Sequence, residues 1–317
     1  MRNLKKILAL VLALVLSLSL VTIASGADFN DADEIELTEA VDVMTAIGVL
    51  EGHNTGDFAP QGTLTREQAA KIITYMLLGD SADRLSVAST SFSDVAANHW
   101  SAADIEYCTT LGIIAGYGDG TFNPRGNLTG YAFAKMLLTA LGYKADAEGL
   151  TGTGWTINVS RLALQVGLDD GIEGITWGDP LTREQAAQMA LNAIKTPLVT
   201  YNDGTIIING ENVSFGSGQA VYVTTTLARE QRISDATLSN TNDIFTVEFG
   251  ERYFPRLILA EDIVDEFGRP AHIWTYETND IGTYLDENLL EVEYTDAVEG
   301  RDVYNDIGYS VINQYDL

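Results

Sequence analysis

Two arginines stand one residue past a threonine in the same tetrapeptide, Thr65-Arg66-Glu67-Gln68 and Thr182-Arg183-Glu184-Gln185. A threonine three residues ahead of a glutamine is a reciprocal helix cap, so both guanidinium groups belong to a first helical turn. There an arginine fork can grip a carboxylate through two parallel hydrogen bonds, while free backbone amides and the helix dipole add positive potential. The alternative is that Arg66 and Arg183 pair with neighbouring acids on a very acidic surface. In a third segment, Thr129-Gly130-Tyr131-Ala132, the threonine is kept and the arginine is lost.

These helix starts close a repeated unit. The run Gly116-Tyr-Gly-Asp-Gly-Thr-Phe-Asn-Pro-Arg-Gly-Asn-Leu-Thr129 recurs sixty-four residues earlier as Gly52-His-Asn-Thr-Gly-Asp-Phe-Ala-Pro-Gln-Gly-Thr-Leu-Thr65, and a third, worn copy ends at Pro180-Leu-Thr182. Repetition at this period is architecture first. Each copy reads as helix, glycine-rich loop, helix; the glycines and Pro124 make the loop a shaped turn. The second helix of the middle copy carries Phe133, Met136, Leu137, Ala140 and Leu141 on one stripe, matched by Ala69, Ile72, Ile73, Met76 and Leu77 and by Ala186, Met189, Ala190, Ala193 and Ile194. One short helix pair cannot cover its own apolar face, so a shared core of three helices, one from each copy, is expected.

The fragments Phe92-Ser-Asp94, His99-Trp100, Gly112-Ile-Ile114, Gly116 to Pro124 and Leu64-Thr-Arg-Glu67 resemble the S-layer homology repeat, over roughly residues 28–199 and most strongly in the second copy. The resemblance implies a pseudo-threefold helical prism that holds surface proteins non-covalently on Gram-positive cell walls. Its implied partner is secondary cell-wall polysaccharide, often carrying ketal-linked pyruvate, bound in grooves between neighbouring repeats. On that reading Arg66 and Arg183 grip the pyruvyl carboxylate, Trp100 and Tyr117 offer flat faces to a sugar ring, and Asp94 and Asp119 accept from its hydroxyls. Plainer readings stand beside these: Trp100 as a helix-start core residue, Asp119 as a turn residue bonding its own backbone, Asp94 as the cap of the short helix that follows. Glu36-Leu37 replaces His99-Trp100 in the first copy, Trp155 lacks a preceding histidine in the third, and Gly130 removes one arginine. At most two grooves, those using Arg66 or Arg183, are then expected to bind well. Replacing both arginines by alanine is expected to abolish wall association with helicity intact.

Composition sets the surroundings. Arg2, Lys5 and Lys6, an apolar run from Ile7 to Ile23 and small residues to Ala27 predict a cleaved secretory signal, residues 1–27. The rest carries 15 Lys plus Arg against 45 Asp plus Glu, a net charge of about −30 that makes nucleic acid an improbable partner. No second apolar span predicts a membrane helix after signal cleavage. Cys108 excludes an intramolecular disulfide framework and aligns with Met44 and Ala163, an apolar core position rather than a reactive thiol.

The predicted organisation is therefore α in the repeats, at 28–87, 88–148 and a degenerate 149–199, followed by an acidic β-rich domain over 200–317. From Val199 onward there are 22 acidic and six basic residues and no lysine. The Asn-Gly pair inside Thr205 to Phe215 predicts a hairpin, and Val221 to Thr226, Ile244 to Phe249 and His272 to Tyr276 read as further strands. One histidine there, His272, is too little for a triad or a metal centre, and the glycosidase reading rests only on abundant carboxylates. A non-catalytic, exported wall protein is preferred, with a wall-tethered carbohydrate-active enzyme or an S-layer subunit self-associating through its C-terminal half as alternatives. No cofactor is expected; Glu261-Asp262 with Asp265-Glu266, or Asp169-Asp170, offer at most weak calcium binding, none completing a loop signature.

Overall fold

A computed structural model describes residues 29–208, 211–224 and 246–290; the expected signal segment lies outside them. Six helices come in three pairs: α1 (Thr38–Ala46) with α2 (Arg66–Leu78), α3 (Ala102–Thr110) with α4 (Gly130–Ala140), and α5 (Trp155–Gln165) with α6 (Arg183–Lys195). Packing does not follow the pairs. The second helix of each copy lies on the first helix of the next, α2 on α3 and α4 on α5, and α6 returns to α1, so the helical half closes on itself.

The closure is visible in three backbone hydrogen bonds. Leu64 donates to Leu181 at 2.8 Å, Leu181 to Leu128 at 2.9 Å, and Leu128 back to Leu64 at 2.8 Å. Each leucine precedes the capping threonine of its copy, and all three are buried. A Leu-Thr pair thus serves twice, once in the ring and once as a helix cap. Thr65 and Thr182 form complete capping boxes with Gln68 and Gln185, whereas Thr129 accepts only from the amide of Ala132.

The expected stripes form the interior: Phe133, Met136, Leu137, Ala140 and Leu141 are all buried, as are Ala69, Ile72, Ile73 and Met76 and the five stripe residues of α6. Cys108 belongs to the same core, with its sulfur 3.5 Å from Thr74 Oγ1, and burial pushes its thiol to about 12. Iodoacetamide at pH 8 is therefore expected to leave the folded chain unlabelled and to label it fully in denaturant; mass spectrometry distinguishes the two, and labelling of the native chain would refute the packing.

Beyond α6 the chain turns to strands. β1 (Val199–Ile208) and β2 (Glu211–Tyr222) pair antiparallel with Ile208 opposite Glu211, while the Asn-Gly turn itself falls on residues outside the described ones. A second antiparallel sheet follows in the order β3 (Leu257–Val264), β4 (Pro270–Tyr276), β5 (Asn279–Leu285). Of the strand expected over Ile244 to Phe249, the first two residues fall outside the described ones, Thr246 and Glu248 make isolated bridges to Thr224 and Pro197, and its last residue is corrected, since Phe249 opens a short helix, α7 (Phe249–Tyr253). Glu248 and Glu251 cap it reciprocally, a local pattern that overrides the β-prone residue types. Of the run Val221 to Thr226, only Val221 and Tyr222 lie in β2; Thr224 makes the isolated bridge to Thr246, and the last two residues fall outside the described ones.

The two halves are continuous. Leu198, Val223 and Val247 form another ring of backbone bonds, each 2.8 Å, at the end of α6, and the amide of Val199 donates to Leu141 at 2.9 Å. Among the described residues no helix is long and apolar enough to cross a membrane.

Candidate functional site

The glycine-rich loops are held from below by aspartates. Both oxygens of Asp94 accept loop amides, Phe122 at 2.8 Å and Asn123 at 2.7 Å, and Asp31 does the same for Phe58 and Ala59, each at 2.7 Å. Asn123 and Ala59 have left-handed backbones, φ 56° and 57°, which turns two successive amides inward as an anion nest. The slight burial of Asp94 acts to raise its carboxyl, but the amide bonds prevail and hold it below the ordinary carboxylate range. Asp94 thus clamps the glycine-rich loop rather than capping a helix, with its carboxylate exposed; its repeat mate Asp31, which the sequence did not single out, is legible only from the twofold recurrence of the clamp. Asp119 folds one oxygen onto Thr121, at 2.9 Å to the amide and 2.6 Å to the hydroxyl, and stays exposed.

Arg66 and Arg183 reach across copy boundaries to these loops. Arg183 Nε donates to Phe58 O at 2.8 Å and one terminal nitrogen to Glu51 O at 2.9 Å, with the guanidinium 4.7 Å from the Phe58 ring centre. Arg66 repeats this on the second loop, to Phe122 O at 2.8 Å and Ala115 O at 2.9 Å, over the rings of Phe122 and Tyr117. Burial pulls both guanidinium groups below their ordinary value. The described contacts of the two forks are thus to carbonyls of the next copy, not to carboxylates. The helix-start amides are also taken: Arg66 donates to Gly126 and Glu67 to Pro124, Arg183 to Gly62 and Glu184 to Pro60. The expectation of free amides at these termini is therefore corrected, because the neighbouring loop already satisfies them. Removing the arginines also removes loop supports, so intact stability no longer follows.

Beside Arg183 a cleft of about 140 Å³ opens between the first loop, α2 and the start of α3. Arg183, His53, Gln68, Lys71 and Trp100 line it. Trp100 is 56 % exposed, which overturns its reading as a core residue: His99 takes the inward place instead, 3.4 Å from the buried Glu67. Lys71 is a second cation lining this cleft, paired with the exposed Glu51 at 2.8 Å. The second copy repeats the set one register on, with Tyr117 in the place of His53, Lys135 in that of Lys71, and Trp155 5.8 Å from the Lys135 nitrogen. Burial lowers Lys135 from its ordinary value. Lys71 and Lys135 were missed, although their spacing of sixty-four residues in the repeat register is the same signal that exposed the loops.

The third junction has none of this. A Cβ at Gly130 would stand 3.2 Å from the backbone of Trp177, which stacks on Tyr131 with ring centres 6.1 Å apart. Gln188 fills the lysine place, Asp170 that of Tyr117, and Glu36-Leu37 that of His99-Trp100. Glu36 and Leu37 direct their amides to Glu184, and the C-terminal sheet lies over the junction across a cleft of about 740 Å³. Among the described residues no group of three or more His, Cys, Asp or Glu side chains converges for a metal; Asp265 instead pairs with Arg269 at 2.8 Å.

Comparison with known proteins finds similarity to cell-surface proteins. The chain is 28 % identical over 283 residues to a cell surface protein of Thermoanaerobacter kivui, covering 86 % of this chain and 36 % of that one. It is 39 % identical over 133 residues to cell surface glycoprotein 1 of Acetivibrio thermocellus, 40 % of this chain and 6 % of that one, and 36 % identical over 87 residues to a cellulosome-anchoring protein of the same organism, 27 % and 20 %. It therefore spans about a third of the length of the first of these and less of the others. These matches support a location at the cell surface, in the cell wall. Residues 28–70 and 91–134, the first two loop-bearing copies, match the S-layer homology domain.

Proposed function

We propose that this chain is a non-catalytic cell-wall anchor in which three S-layer homology repeats, the third worn, hold an exported protein on secondary cell-wall polysaccharide through two open grooves. The observation that carries the reading is the cleft lined together by the exposed Trp100, Lys71 and Arg183. An indole face suits a sugar ring, and a lysine at the cleft suits an acidic substituent such as a pyruvyl carboxylate. In this division Arg183 and Arg66 shape the loops, and Lys71 and Lys135 supply the charge that meets the ligand. Local cations matter because the chain as a whole repels anions. The cellulosome-anchoring relative is consistent with attachment as the role of such a segment.

The test is co-sedimentation of the chain with purified walls before and after acid stripping of secondary polymer. Binding is expected to intact walls and to disappear on stripping, with free polymer competing. Undiminished binding to stripped walls would move the ligand to peptidoglycan.

A further inference from the structure

We infer that the third junction is the seat of the chain's own C-terminal sheet, and that His272, held between Glu39 of α1 and Asp286 beyond β5, is the proton-bearing latch that keeps the sheet seated. This holds whatever the two open grooves bind. The junction that has lost arginine, lysine and tryptophan together is the one the sheet covers, and the neighbouring face of α1 carries two acids that bond the sheet. Glu39 Oε1 accepts from Trp274 Nε1 at 2.7 Å and contacts His272 Nε2 at 3.0 Å, while Tyr284 donates its hydroxyl to Asp42 at 2.9 Å. Glu39 and Asp42 lie three residues apart on one face of α1. On the sheet side, Trp274 and Ile281 are buried in the common core.

His272 Nδ1 lies 2.6 Å from Asp286 Oδ1, so each ring nitrogen faces a carboxylate oxygen. Only an imidazolium donates from both nitrogens; a neutral ring turns a lone pair toward one carboxylate. Other groups around the ring are Lys195 of α6, Glu261 of β3, Tyr284 of β5, whose ring is 5.9 Å away, and Glu287 of the following turn. Glu36 and Asp170 complete the charged rim. The bond to Glu39 raises the ring above its ordinary 6.5, burial opposes, and Asp286 adds to the rise. Burial acts to raise Glu39 in turn, but its bonds from His272 and Trp274 hold it low. A base raised on docking stabilises the docked state fully below its free value, and that contribution is lost as pH climbs through the docked value. The sheet is thus seated most firmly in mildly acidic surroundings and loosens on the alkaline side.

Hydrogen exchange on the full chain, corrected for intrinsic rates, reads this directly. Between pH 6 and 9, protection of β4 and β5 is expected to fall by up to about tenfold per pH unit within the titration window, with α2 and α4 unchanged. In His272→Gln the protection is expected to be low and flat with pH. Equal protection and equal pH dependence in His272→Gln, or no dependence in the parent chain, overturns the latch. Should the variant not fold, the imidazole titration of His272 by NMR in the unaltered chain decides: a midpoint above 6.5 supports the latch and one at or below it overturns it.

Discussion

Arg183→Ala is expected to lower the unfolding free energy by about 3 kcal/mol, the scale of two hydrogen bonds from a charged donor to carbonyls that are then left unpaired. The side chain is 7 % exposed and joins the last helix to the first loop through Phe58 O and Glu51 O, so its loss opens the seam that closes the helical half. At roughly 3 °C per kcal/mol for a chain of this size, the melting temperature should fall by about 9 °C. Arg183→Lys should recover little, since a point charge cannot bond two carbonyls in the fixed geometry of the guanidinium fork or stack on Phe58. Arg66→Ala should cost less because Arg66 is only partly buried. Wall binding is expected to weaken in proportion to lost loop order. A variant that melts like the parent but no longer binds would restore direct carboxylate gripping by Arg183.

The repeat register made most of the helical half legible. Residue identity at corresponding positions predicted the capping threonines, the buried stripes and the place of Cys108, because these depend on local spacing and on one shared core. What the register hides is which copy a side chain serves. Arg66 and Asp94 act on the same loop, Arg66 from a neighbouring copy and Asp94 from its own, and no spacing within a copy distinguishes them. Of the two readings of Trp100, the plainer one as a helix-start core residue fails for a related reason: His99 occupies the inward place against Glu67 and leaves the indole exposed. The C-terminal half was less legible. His272 and Glu39 are 233 residues apart, and nothing in either local sequence announces the contact. The strand expected up to Phe249 gives way to helix at that residue because the capping pair Glu248 and Glu251 outweighs β-prone side chains over so short a segment.

Trp100→Ala is expected to weaken attachment to walls by roughly thirtyfold, about 2 kcal/mol, the size typical of an aromatic anchor at the centre of a binding surface. Because the indole is 56 % exposed, melting should be almost unaffected, which separates this variant from Arg183→Ala. Adding Lys71→Ala removes the ammonium from the same cleft, where it pairs with the exposed Glu51. If the two open grooves engage one polymer, each raises the effective concentration seen by the other, so loss of one groove should cost more than its own affinity. Lys135→Ala in the Trp100→Ala, Lys71→Ala background then silences both grooves and should reduce co-sedimentation to that of stripped walls. Retained binding in this triple variant would place the polysaccharide elsewhere on the molecule. Retained binding in the double variant alone would instead show that the groove of Tyr117, Lys135 and Trp155 suffices, an outcome made easy to read because the third junction lacks the arginine, lysine and tryptophan.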